Sequence, residues 1–134
     1  MRRAALALLL GAALCGLAAG AALAHKKLIA STVAISYQGT DYGDTISGSV
    51  ASPNARCVAG RAVTLFRSTG GNNTAYGEAT ASASGDFKFD PKGQVFQQGT
   101  YYAEAARKVL KKNKRHRHIC KPAASASVVV GGGS

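Results

Sequence analysis

Tryptophan is absent from this chain, and aromatic residues amount to 7% of its 134 positions. Together with 16 glycines spread along the sequence, that scarcity suits short strands and turns better than helices. Carboxylates are also few. Asp41, Asp44, Glu78, Asp86, Asp90 and Glu104 are the whole set, mostly standing singly in turn sequences. Asp41-Tyr42-Gly43-Asp44 lacks the ligand density of a calcium loop and reads as a turn built on aspartates. The only histidines, His25, His116 and His118, lie at a segment boundary or in a charged stretch, where nothing buries or fixes an imidazole. No G-x-S-x-G elbow is present, so a hydrolase triad is not indicated. No glycine-rich loop introduces a helix, which removes phosphate cradling at a helix N-terminus. The length excludes a multidomain enzyme. With the first 24 residues set aside, about 110 remain, enough for one core and too few for two.

Those first residues have their own grammar. Arg2 and Arg3 precede an uncharged apolar run from Ala4 to Leu23, which closes on the small-residue site Ala22-Leu23-Ala24. The pattern describes a secretory signal peptide over residues 1–24, cut after Ala24. The alternative is a retained anchor, since some 20 apolar residues could span a bilayer. A crowd of Ala and Gly and the terminal cleavage site favour removal, leaving an exported product with no membrane span.

Of three cysteines, Cys15 lies inside that segment. Cys57 and Cys120 form an even pair, and an exported protein meets an oxidising compartment, so a disulfide is expected between them. It would close a loop of about 63 residues and stabilise by about 4 kcal/mol on the chain-entropy account. The pair has no C-x-x-C spacing, which argues against a metal site.

Period-two alternation between turn signals recurs along residues 25–130. Val33, Ile35 and Tyr37 open it, and Gln38 to Asp44 reads as a loop. Ile46 and Val50 follow, then Val63 and Leu65, with Ser68 to Asn73 the plainest turn. Ala75 to Ser82 is a polar strand, Phe87-Lys88-Phe89 a short one, Tyr101 to Ala105 another, and Ala124 to Val130 the last. Residues 131–134, Gly-Gly-Gly-Ser, form a flexible tail. Seven strands with turns about every ten residues indicate an all-β sandwich. Its inward candidates are Val33, Ile35, Ile46, Val50, Val63, Leu65, Phe87, Phe89, Tyr101, Ala103, Val128 and Val130. Tyr101 is a candidate corner tyrosine with its hydroxyl bonded to backbone.

The order Gly48-Ser49-Val50, Cys57, Arg61-Ala62-Val63-Thr64-Leu65, Gly85-Asp86-Phe87, Gly99-Thr100-Tyr101-Tyr102-Ala103 and Cys120 resembles the immunoglobulin-like domains of exported bacterial proteins, in particular the transthyretin-like or carboxypeptidase-regulatory-like group. That resemblance spans Val33 to Val130 and implies a seven-stranded immunoglobulin-like sandwich serving as a non-catalytic accessory or surface module. The long basic insertion before Cys120 departs from the group's pattern.

The insertion carries most of the charge. Arg107, Lys108, Lys111, Lys112, Lys114, Arg115, Arg117 and Lys121 are eight of the 15 Lys and Arg that follow the leader, in a stretch without a single acid. Read as a strand running into a basic hairpin loop, it is a candidate polyanion-binding element. The partners in view are anionic cell-wall polymers, lipid head groups or extracellular DNA. The run has no stacking aromatics, so sequence-specific reading of nucleic acid is not expected. A second constellation involves copper. Cleavage after Ala24 would give His25 a free α-amine that chelates Cu(II) together with its imidazole, while His116 and His118 share one face of an extended chain. Lys26, Lys27 and the lysines of the insertion oppose a cation there. The sequence therefore supports a secreted, non-catalytic binding module without a cofactor, with a copper-dependent oxidative protein using His25 as the alternative.

Overall fold

A computed structural model describes residues 25–93, 95–111 and 115–131. The expected leader and most of the glycine-rich tail lie outside the described residues, as do Lys112 and Lys114. The fold is all-β, with eleven strand segments among the described residues where the alternation indicated seven, and one short 3-10 turn.

Two sheets enclose the main core. In the first, β2 (Thr32–Thr40), β3 (Gly43–Ala51) and β6 (Asp86–Phe89) are antiparallel, with β3 in the middle. In the second, β4 (Ala62–Thr69) lies between β5 (Asn72–Thr80) and β7 (Gly99–Ala105). Two short segments, β10 (Ala123–Ala124) and β11 (Val128–Val130), pair with the other side of β7. The single last strand expected from the sequence is thus interrupted. Ser125 explains the break: its N–H donates to Ala103 O at 2.8 Å, and its hydroxyl accepts from Ala103 N at 2.9 Å.

The expected loop from Gln38 to Asp44 is tighter than the sequence suggested. Strands β2 and β3 pair out to Thr40 and Gly43, leaving Asp41-Tyr42 as a two-residue turn. Only Asp41 keeps the turn role. Asp44 is buried inside β3, where its Oδ2 accepts the Phe96 N–H at 2.9 Å and so pins a distant loop. The Ser68 to Asn73 turn likewise shrinks to Gly70-Gly71, whose φ angles of 58° and 85° suit a two-residue hairpin turn that follows the strand twist.

All twelve inward candidates belong to the main core or pack against it, with Ile35 and Val128 at its margin. Sequence reading omitted Ala81, Phe96 and Ala105, which are also buried there. Tyr101 sits at the centre with none of its surface exposed, its hydroxyl donating to Gln97 O at 2.7 Å. Burial raises its phenol pKa above the ordinary value.

Most of the described part of the basic stretch is strand, where a loop was expected over more of it. It forms β8 (Lys108–Lys111) and β9 (His116–Cys120), an antiparallel pair, and β1 (His25–Ile29) adds to β9 in parallel. This third sheet has its own small core of Ile29, Leu110, Cys120 and Cys57, the last on the 3-10 turn Ala55–Cys57. A disulfide joins Cys57 to Cys120 across 63 residues, with Cα atoms 5.5 Å apart.

Candidate functional site

The third sheet gathers two basic segments that are far apart in sequence. In the parallel β1–β9 register His25 lies opposite His116, Lys26 opposite Arg117, Lys27 opposite His118, Leu28 opposite Ile119 and Ile29 opposite Cys120. Side chains alternate between faces along a strand, while paired residues share one. Ile29 and Cys120 therefore turn toward the 3-10 turn, and Lys26 and Arg117 turn away from it. On β8, Lys111 occupies the register position beside Arg117. Three basic positions thus form a row across three strands, at a strand spacing of about 4.8 Å. Lys26, Lys27, Arg115 and Arg117 are exposed. None of the six carboxylates lies on this sheet.

The basic residues do not all do the same work. Lys108 is half-buried, and its Nζ donates to Arg56 O at 2.9 Å and Ala59 O at 2.8 Å. It is a strut between β8 and the carbonyls around the 3-10 turn. Lys121 and Arg107 are exposed beyond the strand ends. Lys26 and Lys27, which sequence reading treated only as neighbours of His25, are placed beside the insertion by strand pairing. No local signal reveals that, because a parallel partner leaves no mark on the residues flanking a strand.

Arg61 joins the third sheet to the body of the molecule, a role the sequence analysis did not foresee. It is 1% exposed. Its guanidinium donates to Ala106 O, to Lys121 O, to Cys57 O at 2.8 Å and to Ser31 Oγ at 3.1 Å. These acceptors come from four separate segments. Burial lowers its pKa from the usual arginine value, and among the described residues no carboxylate forms an ion pair with it. Neutral carbonyl dipoles take the place of a counter-charge.

The histidines are partly assembled. His25 and His116 stack with ring centroids 6.0 Å apart and planes 9° from parallel, and His25 N donates to Arg115 O at 2.9 Å. His118 lies two residues further along the same face, at the register of Lys27. Among the described residues no three or more His, Cys, Asp or Glu side chains come together as a metal-binding group.

At the opposite end of β4 lies a pocket of about 260 Å³, lined by Arg67, Thr69, Thr74, Tyr76, Lys92 and Gln97 among others. Among the described residues no helix is long and apolar enough to cross a membrane. No protein-family model matches the chain, and no curated protein matches it.

Proposed function

We propose that this protein is an exported, non-catalytic binding module of immunoglobulin-like sandwich type, and that its third sheet binds polyanions. The reading rests chiefly on the β1–β9–β8 register, which lines up Lys26, Arg117 and Lys111 and brings Lys27 and Arg115 close by, without an acid on the same sheet. Basic positions on a paired scaffold keep a fixed backbone spacing. They therefore meet a linear array of phosphates or carboxylates at lower ordering cost than a free loop would. The disulfide is compatible with export, and the two enclosing sheets are compatible with a sandwich.

The test is binding to duplex DNA, used as a polyanion of known charge spacing, over a range of salt. Contact with four to six phosphates gives log K falling with log salt at a slope of about −4 to −5. Replacing Lys111, Lys112, Lys114, Arg115 and Arg117 together should abolish binding and leave the fold intact. Replacing Lys26 and Lys27 alone should reduce the slope by about one to two. Binding that ignored salt and both sets of substitutions would refute the assignment. Anionic and neutral vesicles in the same assay report whether lipid head groups serve as well.

The stacked pair of His25 and His116 favours a second reading, Cu(II) held by these two imidazoles and a freed α-amine. Elemental analysis of protein processed to begin at His25, before and after His116→Ala, tests it. Stoichiometric copper lost with the substitution would establish that alternative.

A further inference from the structure

We propose that the pocket at the far end of β4 is a second ligand site, distinct from the basic sheet, which binds a carboxylated sugar unit through Arg67 and Lys92. Arg61, at the third sheet, and Arg67, at the pocket, stand six residues apart on an extended chain, so the two sites are separated by about 20 Å. Neither site can share a small ligand with the other.

Three departures from regular structure converge on this pocket. The first is in β5. The β4–β5 register runs Leu65 to Gly77 and then Phe66 to Ala75, so Tyr76 is an extra residue without a partner. Such a bulge re-aims a side chain, and here it turns the Tyr76 ring against Phe96, at 5.4 Å, and edge-on to Tyr101, at 5.6 Å. The second is Gly99, whose φ of 152° disfavours any other residue. A Cβ there would stand 2.9 Å from Arg67 Nε. The absent side chain is the space in which the arginine lies. The third is the loop before β7, which is fastened by its own carbonyls. Tyr101 holds Gln97 O, and Arg67 holds Gln98 O through both Nε and Nη2.

These features fix the donors. With Nε–H and one Nη2–H committed to Gln98, Arg67 keeps both Nη1 protons and the second Nη2 proton for a ligand. Lys92 is exposed, its backbone N–H donates to the Tyr76 hydroxyl at 2.8 Å, and its Nζ stands 5.3 Å from the centre of the Tyr76 ring. Two cationic groups thus approach one opening whose lining has no acid.

Their arrangement selects among anions. The side-on edge of Arg67, Nε with Nη2, is occupied by Gln98 O; its end-on edge, one N–H from each of Nη1 and Nη2, remains beside the Lys92 ammonium, and two parallel N–H groups match the two oxygens of a carboxylate. The other polar lining groups, Thr69, Thr74 and Gln97, are neutral donors and acceptors suited to hydroxyls. At about 260 Å³ the pocket lies below the range that encloses drug-sized ligands, so it takes one compact polar ring. A uronic acid residue, carboxylate inward and hydroxyls toward Thr69, Thr74 and Gln97, meets all of these demands.

The experiment titrates the full chain with an unsulfated glucuronate-containing trisaccharide, following backbone amide shifts by NMR at salt high enough to screen the basic sheet. Shifts are expected at residues 67–76 and 92–99, and not in β1, β8 or β9. Lys92→Gln removes a charge-assisted bond from an exposed position that contributes little packing, so affinity should fall by about tenfold with the melting temperature unchanged. Thr74→Val should weaken binding less. Replacing Arg117 and Lys26 together should leave it as it was. A neutral glucose trisaccharide that bound as tightly would overturn the proposal. So would acetate or inorganic phosphate matching the uronate, or an affinity indifferent to Lys92→Gln. Loss of binding with Arg117 and Lys26, but not with Lys92, would transfer the ligand to the basic sheet and also overturn it.

Discussion

Arg61 illustrates what a single buried cation does when its partners are backbone carbonyls. Lysine carries the same charge but cannot span acceptors on several segments, because it presents one compact ammonium where arginine presents a planar fork. Arg61→Lys should therefore lose most of what Arg61→Ala loses, about 2–4 kcal/mol by urea denaturation, since either change leaves buried carbonyls unsatisfied. Recovery of wild-type stability by lysine would show that charge alone matters. Tyr101 is the complementary case, a buried neutral group. Its pKa is raised in the folded state, so the native protein holds the phenolic proton more tightly than the unfolded chain does. That contribution is fully present below the ordinary tyrosine pKa of about 10 and disappears as pH rises through the higher native value. Tyr101→Phe should cost about 1 kcal/mol at neutral pH and flatten the alkaline fall in stability, both measurable by denaturation at a series of pH values. The tyrosine's role was legible in the sequence, because Gly99-Thr100-Tyr101 begins a strand at a recognisable corner. That of Arg61 was not: an arginine after a glycine looks solvated, and its acceptors are carbonyls that every sequence possesses.

Among the elements, the three-stranded sheet shows where pattern reading stops. The five residues His25-Lys26-Lys27-Leu28-Ile29 have no apolar alternation, yet they form a strand, because β9 supplies hydrogen bonds and Ile29 alone reaches the small core. The basic stretch failed the same test, with only Leu110, Ile119 and Cys120 deeply buried among its described residues. Most strands of the two larger sheets were visible since they alternate against a shared core, and the turns after β2 and β4 were found in the right places but drawn too long. Within the basic sheet, Lys108 should be separable from its neighbours. Its ammonium is spent on Arg56 O and Ala59 O, so Lys108→Gln should lower stability by about 0.5–1.5 kcal/mol while the salt slope of polyanion binding stays unchanged. A slope that dropped by about one would return Lys108 to the binding face.

For the molecule as a whole, the third sheet is attached to the two-sheet body by the Cys57–Cys120 bridge, by Arg61 and by Lys108, with four residues as its core. Reduction should therefore act locally before it acts globally. Hydrogen exchange in β1, β8 and β9 should accelerate while β3, β4 and β7 stay protected, and total stability should fall by about 2–4 kcal/mol. Uniform acceleration throughout would show one cooperative unit. The bridge was legible from two cysteines outside the expected leader; the small separate core it holds was not. The parallel pairing of β1 with β9 has one more consequence, in time. The residues of the chain made earliest among those described bond to ones made about 90 residues later, and contacts of such long range form late because loop closure must come first. The Arg61 clasp and the disulfide wait for the same short stretch, since Lys121 and Cys120 are their far ends. A nascent chain that has emerged only as far as residue 115 can pair β2, β3 and β6 and also β4, β5 and β7, but it can neither latch nor cover the other side of β7. Full protease resistance should arrive only with the synthesis of residues 116–130.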